Sequence, residues 1–189
     1  MRSTRSYWVV TLTVLSLGCS IGLPDTDGHD GYDVAGKIRT SSNEYVVVRD
    51  NSIPSLPVDV ISIGYSITNE TGSNLYIEKC IEGSIETAVP QPRLVKYQDG
   101  NWTIALGAVC VLVYIDPIVV GPGETFSGTG TLTSNLADNV GPRFSPEIDS
   151  IAGVYKLELP VYRDYNPDQM RLAAMEYRLS NEFRLDEER

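Results

Sequence analysis

Val58-Asp59-Val60-Ile61-Ser62-Ile63-Gly64-Tyr65-Ser66-Ile67-Thr68-Asn69 decides how the rest of the chain is read. Val58, Val60, Ile63, Tyr65 and Ile67 recur with a near period of two, the pattern of a strand with one buried face. The phase changes around residues 62–64, as it does at a β-bulge. Asn69-Glu70-Thr71-Gly72-Ser73-Asn74 follows as a dense turn signal. Leu75-Tyr76-Ile77 then opens a returning strand that ends at Cys80, so the expectation is a long antiparallel pair.

Outward from this stretch the same punctuation repeats. Residues 45–49 read as a first strand, joined to residue 58 through an irregular segment holding Pro54 and Pro57. Residues 93–97 and 101–104 flank Gln98-Asp99-Gly100, whose Asp-Gly suits the positive backbone angles of a tight hairpin. Gly121-Pro122-Gly123-Glu124 is a further turn, and after it Phe126, Gly128, Gly130 and Leu132 share one face of a strand over 125–133. Residues 135–149 look like a long loop. Residues 151–163 form a strand on Val154, Leu157, Leu159 and Val161, with Pro160 marking an edge or bulge. Near the end, Met, Leu and Ala favour helix over 168–176. However, Met175, Tyr177, Leu179, Asn181, Phe183 and Leu185 alternate, so 176–185 is read as the last strand, paired with 151–163 after at most a short helical turn. Strands in succession without intervening helices imply an all-β, antiparallel immunoglobulin-like β-sandwich.

The first residues have the three parts of a signal peptide: basic Arg2 and Arg5, an uncharged stretch over 7–17, and small residues at a cleavage point. That stretch is shorter than the ~20 apolar residues a membrane-spanning helix needs. Leu15-Ser16-Leu17-Gly18-Cys19 resembles the lipobox of bacterial lipoproteins, although the favoured Leu sits one position early. The resemblance implies lipidation of Cys19, which then anchors the protein to a bacterial cell membrane or outer membrane, facing away from the cytoplasm. The alternative is ordinary secretion, with cleavage at the same bond and an unacylated Cys19. If Cys19 carries lipid, Cys80 and Cys110 remain as an even pair in an oxidising compartment. A disulfide between them closes a loop of about 30 residues, worth about 3 kcal/mol by the chain-entropy estimate. Two buried thiols are the alternative. Trp102, close in sequence to Cys110, is expected to pack against such a bridge in the sandwich core.

Removing residues 1–18 leaves 171 of 189 residues, the size of one domain. Residues 19–42 are rich in Gly, Asp, Ser and Thr and read as a lipidated, flexible acidic tether; the sandwich domain is assigned to 43–189. Asp25, Asp27, Asp30 and Asp33 stand among glycines there, but counting from Asp25 puts His29 and Asp30 at positions that do not suit a calcium loop. His29 is the sole histidine, so a zinc site on the cysteines lacks ligands. The mature chain holds 13 basic and 25 acidic residues, a net charge of 13 − 25 = −12. This sign argues against nucleic acid as a partner and leaves membrane attachment to the lipid.

A family resemblance rests on three short matches: Thr68-Asn69-Glu70-Thr71-Gly72 closing a strand, Pro122-Gly123-Glu124 opening one, and Gly153-Val154-Tyr155-Lys156-Leu157 near the end. Leu179-Ser180-Asn181-Glu182-Phe183 adds a final strand. Together they resemble small bacterial exported domains of the immunoglobulin or fibronectin-III-like type, and in part the fold of the intracellular proteinase inhibitor of bacilli. The resemblance implies the sandwich fold, and only by extension an extracytoplasmic proteinase inhibitor. The cysteine pair departs from that inhibitor's pattern, and no segment reads as an inhibitory loop.

No catalytic, cofactor or metal residues are assigned. The usual nucleophile triads need a base, and the lone His29 falls in the tether. No phosphate-binding loop, dinucleotide fingerprint or nucleophile elbow is present. Glu124, Glu147, Asp149 and Asp164 are candidate carboxylates for a hydrolase only in being acidic. The 11 tyrosines are also candidates for a contact face in protein or sugar recognition. Asn69-Glu70-Thr71 and Asn101-Trp102-Thr103 fit the glycosylation acceptor pattern. The expectation is a non-enzymatic binding or structural β-sandwich whose partner is an envelope or extracellular protein or polysaccharide.

Overall fold

The computed structural model describes residue 32 and residues 34–50, 58–82, 84–107, 115–135, 144–166 and 170–187. In chain order the strands are β1 (Arg39–Thr40), β2 (Glu44–Asp50), β3 (Val58–Thr68), β4 (Leu75–Ile77), β5 (Cys80–Glu82), β6 (Ser84–Val89), β7 (Arg93–Gln98), β8 (Asn101–Leu106), β9 (Ile118–Val120) and β10 (Thr125–Asn135). They continue with β11 (Gly153–Glu158), β12 (Val161–Asp164), β13 (Arg171–Leu172), the single-turn helix α1 (Met175–Arg178) and β14 (Phe183–Glu187). The fold is all-β, with antiparallel sheets packed together as a sandwich. One sheet runs β1-β3-β2-β14-β11-β7-β8, with β10 on the other side of β3; a second runs β13-β12-β4-β9; β5 and β6 form a small pair.

β3 is the spine of the larger sheet. Its whole length pairs with β10, from Val58 opposite Asn135 to Thr68 opposite Thr125, without a shift of register. The expected bulge at 62–64 is therefore absent, and the phase is a single one: Asp59, Ile61, Ile63, Tyr65 and Ile67 are buried. Val58 and Val60 point the other way, against their cross-strand partners on β2 and β10. Hydrophobicity misleads here because the inward position nearest the strand's start is filled by Asp59, bound by the Arg49 guanidinium at 3.1 Å.

The hairpin expected between β3 and β4 does not form. β4 pairs instead with β9 and β12, because residues 69–74 carry the chain from one sheet to the other. Asn69, fully buried, is the tie at this corner. Its Nδ2 donates to the carbonyls of Ser73 and Val120, both at 2.8 Å, and its Oδ1 accepts from the Thr71 amide and hydroxyl. Its backbone is held in turn by the 121–124 turn, donating to Glu124 and accepting from Gly123. The Asn69-Glu70-Thr71 acceptor pattern is thus closed to glycosylation in the folded protein, whereas Asn101 is exposed. The Asp99-Gly100 hairpin forms as expected, with φ of 51° and 83° at the two turn residues.

A second sheet change occurs at Pro160. The single strand expected over 151–163 is broken into β11 in the larger sheet and β12 in the smaller one. Pro160 has no amide to donate to a ladder, which suits it to the crossing point. The C-terminal segment also divides: Leu179 bridges Glu158, and then β14 pairs antiparallel with β11 and parallel with β2, the one parallel ladder among the described strands. Phe183 and Leu185 point inward as expected, but Arg178 and Ser180, assigned to the outer face, are buried as well.

Residues 32–42 were expected in the flexible tether, yet Tyr32 and Ile38 are buried and β1 pairs with β3. The Lys37 and Ile38 amides bond to the carbonyls of Glu176 and Leu179, and Gly36 lies so close to the Leu179 and Ser180 carbonyls that a Cβ there has no room. Tyr32 and Ile38 suffice because both are fully packed, Ile38 against the main core and Tyr32 beside Leu179, while Val34 stays exposed. Residues 19–31, including Cys19, His29 and three of the four tether aspartates, lie outside the described residues, as does Asp33.

Replacing Asn69 with Ala removes the donor to the buried Val120 carbonyl and the acceptor of the Thr71 amide, while the Ser73 carbonyl keeps the Thr71 hydroxyl. The expected loss is about 2–3 kcal/mol of stability, measured by denaturant unfolding, while Asn101→Ala should leave stability unchanged within error.

Candidate functional site

The smaller sheet has one buried and one solvent-facing side, set by alternation along each strand. Leu75 and Ile77 on β4, Val120 on β9 and Val161 on β12 face the core. The residues between them face outward, and the register aligns them: Val119 lies opposite Tyr76, Tyr76 opposite Tyr162, and Tyr162 opposite Leu172. Four apolar or aromatic side chains therefore cross all four strands in a single row. Val119 is 52% exposed and Leu172 42%. Tyr165, just beyond β12, stacks against Tyr76 at 6.3 Å and meets Tyr162 edge-on at 5.5 Å. These contacts fix the rings without hiding them, since all three tyrosines stay partly exposed.

The row runs into a cleft of about 270 Å³, lined by Tyr162 and Leu172 of the row together with Glu78, Gln91, Arg93 and Pro160, with the buried Glu158 and Arg178 as its base. The base is built by backbone pairing. Arg93 on β7 is the direct cross-strand partner of Glu158 on β11. The Leu159 amide bonds to the Arg178 carbonyl and the Ser180 amide to the Leu157 carbonyl, which brings the end of α1 alongside the same carboxylate. Arg93 then donates from Nε and Nη2 to the two Glu158 oxygens, at 2.5 and 2.9 Å. Arg178 donates from Nη2 to Oε1, and the Tyr32 hydroxyl donates to Oε2 at 3.1 Å.

Glu158 and Arg178 are buried, at 1% and 6% exposure. Their charges are matched within the cluster, as burial of an ion requires. Arg178 Nε nevertheless has no hydrogen-bond partner among the described residues. Burial, then the Glu158 charge, pushes the Tyr32 hydroxyl up to about 12, and burial, then Glu78, does the same for Tyr162. Both phenols are therefore proton donors throughout the physiological range, Tyr162 to Glu78 at 3.1 Å. The arrangement supplies fixed donors and acceptors beside an aromatic platform.

Behind the cleft, Tyr32, Val95, Trp102 and Leu179 form a second small apolar cluster. The Lys156 ammonium sits 4.3 Å from the Trp102 ring and donates to the carbonyls of Tyr32 and Val34. Trp102 was expected against a disulfide at Cys110; its described partners are these, together with Tyr97 at 5.2 Å. Cys80 is buried at the start of β5, while Cys110 lies outside the described residues.

The four carboxylates singled out for hydrolase chemistry have separate local settings. Glu124 accepts the Gly121 amide within its turn. The Lys96 ammonium binds Asp149, and that hydrogen bond holds its carboxyl below the usual range. Glu147 is exposed in the loop before β11, and Asp164 is exposed at the end of β12. Among the described residues no three His, Cys, Asp or Glu side chains gather as a metal ion requires. Sequence reasoning missed Arg93, Glu158 and Arg178. Its available signal was Glu158 between Leu157 and Leu159, a charge inside an apolar run.

No protein-family model matches the chain, and no curated protein or solved structure matches it.

Changing Glu158 to Gln keeps the shape but leaves two guanidinium groups, one of them buried, without their counter-charge. The expected cost is about 3–5 kcal/mol, read as a fall in the unfolding midpoint, whereas Asp164→Asn at the exposed end of β12 should cost less than about 0.5 kcal/mol.

Proposed function

We propose that this protein is an extracytoplasmic lipoprotein, anchored through Cys19, whose β-sandwich binds an envelope or extracellular component and catalyses no reaction. The observation that carries this reading is the outward row Val119, Tyr76, Tyr162 and Leu172, continuous with the polar cleft. A row of rigid, partly exposed aromatic and aliphatic side chains is the composition of a contact surface rather than of a solvated sheet face. Tyr contributes large area at little rotamer cost, and its hydroxyl adds direction. A non-enzymatic role fits a cleft in which Glu158 is bound by two guanidiniums and a phenol, leaving it no freedom to act on a substrate. A Cys80–Cys110 bridge belongs to the same proposal, because it suits an oxidising compartment.

Protein extracted from membranes is expected to have the mass of a chain starting at Cys19 plus acyl groups, with a gain of two hydrogens on reduction. An unacylated product would end the anchoring proposal.

The unacylated Cys19→Ser protein should be retained by isolated envelopes of its own cell, and a double change of Val119→Asp with Leu172→Asp should abolish retention. Retention unchanged by those two charges would remove this face as the binding surface.

A further inference from the structure

We infer that the ligand of this face is an uncharged polysaccharide chain, lying along the Val119–Tyr76–Tyr162–Leu172 row with one end in the Arg93/Glu158/Arg178 cleft; this rests on the binding role proposed above. Three observations select that chemistry. The row crosses four strands, which at the usual strand spacing of about 4.8 Å makes it roughly 14 Å long. This favours an extended ligand over a compact one. Tyrosine ring faces pack against the C–H faces of sugar rings, and the Tyr165 contacts hold the two central rings in fixed orientations.

The cleft at the end of the row is equipped differently from the row itself. Gln91 and Arg93 present planar groups with several donors at its mouth, and Glu78 presents an acceptor, while Glu158 is taken up in holding the two guanidiniums. Alternating donors and acceptors on planar side chains match neighbouring hydroxyl groups, each of which both gives and takes a hydrogen bond. Arg178, nine-tenths buried at the base, keeps one Nε donor unmatched by any group among the described residues. A buried donor of this kind calls for a partner beyond the described residues, such as a bound water or a ligand hydroxyl.

Charge narrows the class further. The two guanidiniums are balanced by two carboxylates within the cleft, so it offers no excess of positive charge to a uronate or sulfate polymer. The chain as a whole carries −10, which repels such polymers at longer range. A neutral chain meets neither cost. A proline-rich peptide shares the preference for aromatic rows, but its tertiary amides bring no donors for Glu78.

The test is calorimetric titration of the full chain in detergent with cellohexaose, xylohexaose, mannohexaose and chitohexaose, alongside the corresponding disaccharides, polygalacturonate and decaproline. At least one neutral hexasaccharide is expected to bind, more tightly than its disaccharide, with no binding of polygalacturonate. Tyr76→Ala and Tyr162→Ala should each weaken it about tenfold or more. Because those rings are partly buried, Val119→Asp with Leu172→Asp, at exposed positions, provides the same loss without touching the core. Overturning results are failure of every neutral oligosaccharide to bind, binding untouched by the aspartate pair, or binding of decaproline in their place. If the oligosaccharides fail while the aspartate pair still abolishes envelope retention, the ligand class falls and the binding face stands. If both fail, the binding role falls with it.

Discussion

A single buried carboxylate, Glu158, holds together parts of the chain that are otherwise far apart in sequence. Arg93 reaches it from β7, Arg178 from the end of α1 and Tyr32 from the segment before the first strand. Each partner brings its own element: the register of the larger sheet, the docking of the C-terminal segment, and the closure of the N-terminal segment over the outer face of β7 and β11. A group so deeply buried tolerates its charge only while those partners stay in place. The same constraint gives the cleft its base, so the network that secures the fold also shapes the site.

The outward row depends on a different device, the two points at which the chain changes sheets. At residues 69–74 the chain leaves the larger sheet and enters the smaller one, with Asn69 as the tie. At Pro160 it does so again, immediately after Glu158. These two crossings put β4 and β12 side by side, and with them Tyr76 beside Tyr162. Because Pro160 follows Glu158 by only two positions, the row and the charged base are necessarily neighbours.

Much of the local structure was legible in the chain. The Asp99-Gly100 hairpin, the 121–124 turn, the extent of β3 and the inward face of β10 follow from backbone angles and alternation over a few residues. The failures share a cause. Val58 and Val60 were read as inward because they are apolar, and Arg178 and Ser180 as outward because they are polar. Yet Asp59, Arg178 and Ser180 are buried with partners drawn from residues 10 to 23 positions away. A polar group's burial is decided by whether a partner arrives, which no local pattern records. Residues 32–42 were misread for the same reason, since Tyr32 is secured by Glu158, 126 positions along the chain.

By itself, then, the sequence determined an all-β chain, its turns and most strand positions, because those rest on φ/ψ preferences and a two-residue period. It also set the expectation of a tyrosine-lined contact face without saying which tyrosines. Only the tertiary structure decided which strands became neighbours, and so that Val119, Tyr76, Tyr162 and Leu172 form one row and that Arg93, Glu158 and Arg178 meet beneath it. The physical reason is that strand pairing across a sheet change is chosen by burial and hydrogen bonding summed over the whole domain. Residues 69–74 look like an ordinary turn until Val120, about 50 positions later, accepts the hydrogen bond that makes them a corner.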